Sequence, residues 1–441
     1  MKNYRNTAIL SLLVLALMSW NIPNTASANS ASSPTDIEAD MNNFPIDQIA
    51  LKIANRNTKL DDRLVTATAN FGFKLFERIA NQTSENGADP NQNIFISPSS
   101  VAIALSMVYN GADGETQRAI GKTLEMEKFK LNEVNQFHYS LQQSLTNAQS
   151  GVELNIANSL WTRQDISLKQ TFLDRVKQFY QAEIQRLDFT NPNSVNAINA
   201  WVRQKTKDKI VKIVERIETD SLLFLINAVY FKGKWQVPFN QSLTTPATFT
   251  LGNGQKIVTP MMTQSGKYLY YDAPTFQAIR LPYKSQRFGM QIFLPKPNSD
   301  LKALRKQLNL QNWQAWRRNM TMQQGSIRLP RFKIEYETEL NTVLQKMGMA
   351  IAFAPNQANF QNISQIPSHI SEVKHKTFVE VNEEGTEAAA VTSIAVRATS
   401  AMPNEQAPFS MIVNRPFFFA ISDRQTGSII FMGTINDPTG K

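Results

Sequence analysis

The sequence predicts an α+β domain with large, mainly antiparallel sheets. Helical apolar spacing dominates residues 64–206, whereas continuous or alternating apolar runs dominate after residue 222. No second linker interrupts the globular pattern from Asp61 to the end, and 42% hydrophobic residues with 26 Phe supply one large core. A charged fraction of 19% is too modest for a mostly disordered chain.

Residues 1–28 read as an export signal rather than as part of the fold. Lys2 and Arg5 form a basic start, residues 8–18 an apolar stretch, and Ala26-Ser27-Ala28 a small-residue cleavage site, with the cut expected after Ala28. The apolar stretch is shorter than the roughly 18 residues a membrane span needs. No later segment qualifies, so a secreted protein, extracellular or periplasmic, without stable membrane insertion is expected. Residues 29–60, rich in Asn, Ser, Ala and Asp and holding Pro34 and Pro45, read as a flexible lead-in to a domain over 61–441.

Within that domain the helices come first. Residues 64–80 place Phe71, Leu75 and Ile79 at helical spacing. Ser97 reads as the cap of a second helix with Pro98 at its first position, and residues 101–109 as its apolar body. Further helices are expected over 115–124, 131–146, 169–180 and 195–206. The continuous apolar run 222–231 is short enough for a strand buried on both faces. Residues 290–294, 327–334, 377–381, 417–421 and 429–434 also read as strands.

Composition removes several kinds of chemistry. There is no cysteine, which excludes thiol catalysis, thiolate metal sites and disulfides. His138, His369 and His375 are the only histidines, and none stands at zinc-binding spacing from another, so no metal is expected. Neither Gly-x-Ser-x-Gly nor Gly-x-Gly-x-x-Gly occurs. Gly121-Lys122-Thr123 looks like the end of a phosphate loop, but the required upstream glycine is Thr116. No motif supports an enzyme. The net charge of +10 comes from scattered Lys and Arg without interleaved aromatics, so nucleic acid is not an expected partner.

One segment stands apart. Gly385 follows a strand signal ending near Val381, and no Gly or Pro then occurs until Pro403. The even positions Thr386, Ala388, Ala390, Thr392, Ile394 and Val396 are small or apolar and uncharged. The odd positions hold both charges, Glu387 and Arg397. Such parity places one face against a core and the other in water. A permanent strand with a small-residue face fits this alternation by itself. The interruption at Gly385 and the flanking charges Glu383 and Glu384 fit a segment that begins as a loop and later becomes a strand.

At this point the chain resembles the serpin family, over nearly everything from about Leu64 to Pro438. The resemblance is carried by Asn93-Ile-Phe-Ile-Ser-Pro-Ser-Ser-Val-Ala-Ile-Ala-Leu and Phe224-Leu-Ile-Asn-Ala-Val-Tyr-Phe-Lys-Gly-Lys-Trp. Val381-Asn-Glu-Glu-Gly-Thr-Glu-Ala-Ala-Ala, Asn414-Arg-Pro-Phe-Phe-Phe and Phe431-Met-Gly-Thr-Ile-Asn-Asp-Pro complete it, in the family's order and spacing. The resemblance implies the serpin fold: three mainly antiparallel β-sheets, about nine helices and an exposed reactive-centre loop, here about residues 383–410. It also implies a single-use inhibitor of serine proteases, possible also for cysteine proteases. The protease cuts the loop, is held as its acyl-enzyme, and the loop enters the main sheet as a new strand.

Family roles carry over position by position. Glu383, Glu384, Gly385, Thr386, Glu387, Ala388, Ala389 and Ala390 match the loop hinge. Ser97, Ser100, Asn227 and His375 match the polar cluster that latches the central strands, the shutter. Trp235, Arg331 and Glu383 match the breach, where insertion begins, with Arg331 expected to pair with Glu383. Counting fourteen residues on from Gly385 puts the reactive bond at Thr399-Ser400. Arg397 and Met402 are the alternatives for that bond. Thr399 implies an elastase-like or subtilisin-like target, and Arg397 a trypsin-like one. No catalytic residue is expected, and no cofactor either: residues 128–144 lack the basic density of glycosaminoglycan-activated members, which speaks against a heparin-like one. A monomer is expected. A non-inhibitory serpin, a carrier or chaperone, is the alternative, although its hinge would be expected to hold bulky, charged or proline residues at even positions.

Overall fold

The computed structural model describes residues 60–85, 87, 89–146, 151–386 and 407–440. Residues 1–28, the lead-in up to residue 59, and Glu387, Ala388, Ala389, Ala390, Arg397, Thr399, Ser400 and Met402 lie outside the described residues.

The helices are α1 Asp62–Glu85, α2 Pro98–Tyr109, α3 Gly114–Thr123, α4 Leu131–Thr146, α5 Gln170–Tyr180, α6 Asn193–Lys205, α7 Leu301–Arg305 and α8 Leu310–Asn319. Then α9 Asn341–Leu344, a π turn Gln345–Met349 and α10 Ala350–Phe353 run on as one stretch, so the described residues hold nine helical stretches besides a short 3-10 turn. All of α2 is buried, because its body is apolar on every side, and it packs against strands of both sheets. Ser97 stands at its N-cap position, but its side chain does not cap. The hydroxyl donates instead to the Ile430 carbonyl at 2.8 Å, a long-range use that no local pattern announces. Among the described residues no helix is long and apolar enough to cross a membrane.

The strands are β1 Ile94–Ile96, β2 Val152–Arg163, β3 Glu183–Leu187, β4 Leu223–Lys234, β5 Thr245–Thr250, β6 Lys256–Asp272, β7 Phe276–Pro282 and β8 Phe288–Pro295. They continue with β9 Thr321–Pro330, β10 Phe332–Glu339, β11 Ile370–Asn382, β12 Gly385–Thr386, β13 Phe409–Ile412, β14 Phe417–Asp423 and β15 Ile429–Ile435. Strands and helices are thus more interleaved than the sequence pattern predicts. The strand expected over 327–334 is two strands in different sheets. Pro330 cannot donate to a ladder, and the chain breaks at Arg331, whose N–H bonds the Pro260 carbonyl at 3.0 Å.

One sheet has six strands in the order β10-β11-β12-β4-β2-β3. The other has nine, β1-β15-β14-β8-β7-β6-β9-β13, with β5 attached to β6. Two of the three sheets that the resemblance implies are therefore hydrogen-bonded as one. The cause is β6: its first part pairs with β5 and β9, and its last residues with β7. Most pairings are antiparallel; β4 with β11, β2 with β3 and β9 with β13 are parallel.

In the six-stranded sheet, β4 and β11 pair directly from Leu223 to Tyr230 and from Ile370 to Phe378. Above that point they part, and Gly385–Thr386 sits between their ends. Odd residues of both strands face the main core, including Leu225, Val229, Phe231, Val373, Val379 and Val381. On the other face Ile226, Tyr230 and Phe378 lie beneath Ile198 and Val202 of α6.

Candidate functional site

The segment that the resemblance matches to the loop hinge begins with a tight reversal after β11. Asn382 ends the strand, its side chain accepts from the Glu384 N–H at 3.1 Å, and the chain turns back through Glu383 and Glu384. Gly385 is required at the re-entry. Its φ is +155°, and a Cβ there would lie 2.0 Å from the Gly233 carbonyl oxygen. Backbone thus approaches backbone where β12 meets β4.

Glu383 anchors this turn. Its carboxylate accepts from Arg331 Nε at 2.8 Å and from Thr244 Oγ1 at 2.5 Å, and Arg331 Nη2 lies 2.6 Å away. Burial opposes the charge on Glu383, but the hydrogen bonds from Arg331 and Thr244 outweigh it and hold the carboxyl below its usual range. Trp235 closes the turn from the other side. Its indole N–H donates to the Asn382 carbonyl at 2.9 Å, and its backbone N–H to the Glu384 carbonyl at 2.9 Å. The indole stacks on Tyr283 with centroids 4.7 Å apart. Thr386 is fully buried, and its hydroxyl is 2.8 Å from that of Tyr283.

Lower in the sheet, a buried cluster ties β4 to β11 and to the start of α2. The Ser97 backbone N–H donates to His375 Nε2 at 3.0 Å, so this nitrogen carries the lone pair. Nδ1 then carries the proton and donates to Asn227 Oδ1 at 2.6 Å. Asn227 Nδ2 in turn donates to Ser100 Oγ at 2.5 Å and to Asn158 Oδ1. Thr377 adds a bond from its hydroxyl to the Phe95 carbonyl at 2.6 Å.

The structure therefore brings Trp235, Arg331, Glu383, Glu384, Gly385 and Thr386 into one group, and Ser97, Ser100, Asn227 and His375 into another. Sequence reasoning missed Asn158, Thr244, Tyr283 and Thr377. Asn158 had a usable signal, since Val152, Leu154 and Ile156 alternate toward it along β2. The Tyr283 position, between β7 and β8, had none.

Burial pushes His375 down to about 3, and His138 as well, the latter beside Ser106 Oγ at 2.9 Å. Both are held neutral in the fold but accept a proton near pH 6.5 when unfolded. The unfolded state therefore binds more protons as the pH falls, and stability is lost from about 6.5 down towards 3. By about pH 5 the two together are expected to cost on the order of 4 kcal/mol. Denaturant titrations at pH 7.5 and pH 5 measure this, and equal unfolding free energies would contradict it.

A main sheet whose two central strands are latched by a buried polar cluster, with the next stretch of chain wedged between their upper ends, defines an α+β protein with room started for a further strand. The chain belongs to the serpin family: the family model described as Serpin (serine protease inhibitor) matches residues 66–438. A serpin-like protein of Thermococcus kodakarensis is 35% identical over 378 residues, covering 85% of this chain and 86% of that protein. Serpin B6 of Pongo abelii is 34% identical over 86% of this chain and all of its own length. The native thermophilic serpin tengpin superposes with a TM-score of 0.79 at 31% identity, covering 87% of this chain and 96% of tengpin. Human thyroxine-binding globulin in complex with its hormone gives 0.76 at 27% identity, with 85% and 98% covered. The family thus includes carriers besides protease inhibitors.

Proposed function

We propose that this serpin is an inhibitory one, exported after cleavage near Ala28, which traps a serine protease when its loop is cut at Thr399-Ser400. What supports the reading is the seat of Gly385–Thr386. This pair is antiparallel to both neighbours, with Thr386 opposite Val381 on β11 and Gly233 on β4. Those two partners differ by the same 148 positions as Phe378 and Tyr230, which pair directly below. The strands β4 and β11 therefore need only part sideways, without sliding, to admit more chain.

Continuing that register assigns each later residue a place upon insertion. Ala388 falls between Val379 and Phe231, Ala390 between Thr377 and Val229, Thr392 between His375 and Asn227, and Ile394 between Val373 and Leu225. Directly opposed residues share a face, so the even positions enter the core side, where the strands carry buried side chains. Small residues beside Phe231 and a threonine at the Asn227–His375 bond suit these places. Insertion exchanges the His375–Asn227 hydrogen bond for contacts with Thr392, which makes the buried cluster a latch that the incoming strand must open.

The test is incubation with trypsin, elastase, chymotrypsin and subtilisin, followed by denaturing gels and mass spectrometry. At least one protease is expected to give a denaturant-stable adduct, and the released peptide fixes the cut after Thr399, Arg397 or Met402. Cleavage by all four without any adduct would leave the non-inhibitory reading, a carrier.

A further inference from the structure

An opening of about 470 Å³ lies between α1, the end of α3 and the π turn. Leu75, Phe76 and Ile79 turn one side of α1 into the core, so Lys74, Glu77 and Arg78 share the side that lines the opening. Lys122 and Glu125 line it from the end of α3, and Lys346 from the π turn. Four cations from three elements thus border one space, against two carboxylates.

The wall opposite α1 is fixed by its backbone. At the end of α3 the Met126 N–H bonds the Gly121 carbonyl at 2.7 Å, and the Glu125 N–H bonds the Lys122 carbonyl at 3.1 Å. This double closure places Glu125 in the left-handed region, at φ +62°, where glycine is the usual occupant. The chain keeps a glutamate there, and its carboxylate holds the Lys74 ammonium of α1 in an ion pair across the edge of the opening. The π turn belongs to the same wall, since the Thr123 hydroxyl donates to the Met347 carbonyl at 3.2 Å. Gly348 permits this turn with a φ of +115°. A side chain at a left-handed position and a π turn are both costly, and both recur at functional sites.

Positive charge is left over around this space. Glu125 is occupied by Lys74, and Glu77 lies within electrostatic reach of Arg305 of α7 as well. Among the described residues no ion pair joins Arg78 or Lys122 to a carboxylate. An anion entering between them would relieve this excess. The volume falls in the range of sites for small organic ligands, about 300–1,000 Å³, and far exceeds what one phosphate ion fills. A single oxyanion would meet one wall only, whereas a chain of phosphates reaches Arg78 on α1 and Lys122 opposite. The arginine fork and the lysine ammonium both suit phosphate oxygens.

We propose that this opening binds a compound with two or more linked phosphate groups, held by Arg78 on one wall and by Lys122 and Lys346 on the other. The compound is either a nucleotide or an inorganic polyphosphate. The site shares no residue with the loop hinge, the shutter or the breach, so its test does not depend on protease trapping.

That test is calorimetric titration of the full chain with sodium triphosphate, adenosine triphosphate, sodium citrate and sodium chloride, without magnesium and at equal ionic strength. One-to-one binding of triphosphate or of the nucleotide is expected, with citrate and chloride weaker. Tighter binding of the nucleotide identifies that source, and tighter binding of triphosphate the inorganic one. Arg78→Gln/Lys122→Gln is expected to weaken the affinity by about tenfold or more. Lys177→Gln/Lys205→Gln removes the same charge at exposed positions outside the opening and is expected to leave the affinity unchanged. Citrate binding as tightly as the phosphate compounds, an equal loss in both double variants, or no saturable binding of any phosphate compound at low salt would overturn the proposal.

Discussion

If the protein traps proteases as proposed, replacing Thr386 with arginine is expected to convert it from an inhibitor into a substrate. Thr386 has no exposed surface and sits between Val381 and Gly233, with its hydroxyl on the Tyr283 hydroxyl at 2.8 Å. Tyr283 is itself buried beneath Trp235. An arginine here would have to place a guanidinium in this pocket without a carboxylate. Burying an unpaired charge costs several kcal/mol, and a cost of about 3 kcal/mol slows insertion by about a hundredfold. The acyl-enzyme is then hydrolysed before the loop enters the sheet. Gels should show the cut chain and free, active protease. Thr386→Ser, which keeps the hydroxyl and the volume, should still form the adduct. A denaturant-stable adduct with Thr386→Arg at parental yield would refute the role given to the even face.

The second large effect is on stability after a cut in the loop. Before the cut, β4 and β11 share one ladder from Leu223 to Tyr230. Entry of residues 387–397 between them replaces that ladder with two, a net gain of one. At about 1 kcal/mol net per hydrogen bond, and about 2 kcal/mol for burying Ile394, the inserted form gains on the order of 10 kcal/mol. At about 2.1 cal/mol/K of unfolding entropy per residue, a domain of this size shifts its midpoint by roughly 1 °C per kcal/mol, so an increase on the order of 10 °C is expected. That gain equals the whole stability of a typical domain, which is sufficient to distort a protease still attached to the loop.

The turn at Gly385 was legible in the sequence because its constraints are local. A glycine after a strand and flanking charges both follow from neighbours along the chain. The α+β class was legible for the same reason, since residues 101–109 and 222–231 are apolar on every side. What was hidden depends on distant partners. Ser97 looks like a cap, yet its hydroxyl serves Ile430 and its N–H serves His375. Tyr283 and Thr244 hold this turn through Thr386 and Glu383 from strand ends that carry no motif. Arg331 was assigned by resemblance, but its place at a break between two sheets was not visible, because residues 327–334 show one continuous strand pattern. The union of two sheets through β6 was equally hidden, as no local signal says which strands share a ladder.

The claim on which the proposed function rests is that the cut loop is more stable inside the sheet than outside it. The direct measurement is the thermal midpoint of the purified protein before and after a single cut between residues 397 and 402, with both fragments kept together. A rise on the order of 10 °C, accompanied by a change in the fluorescence of Trp235 beside the entry point, is the predicted result. An unchanged or lower midpoint after complete cleavage would contradict it.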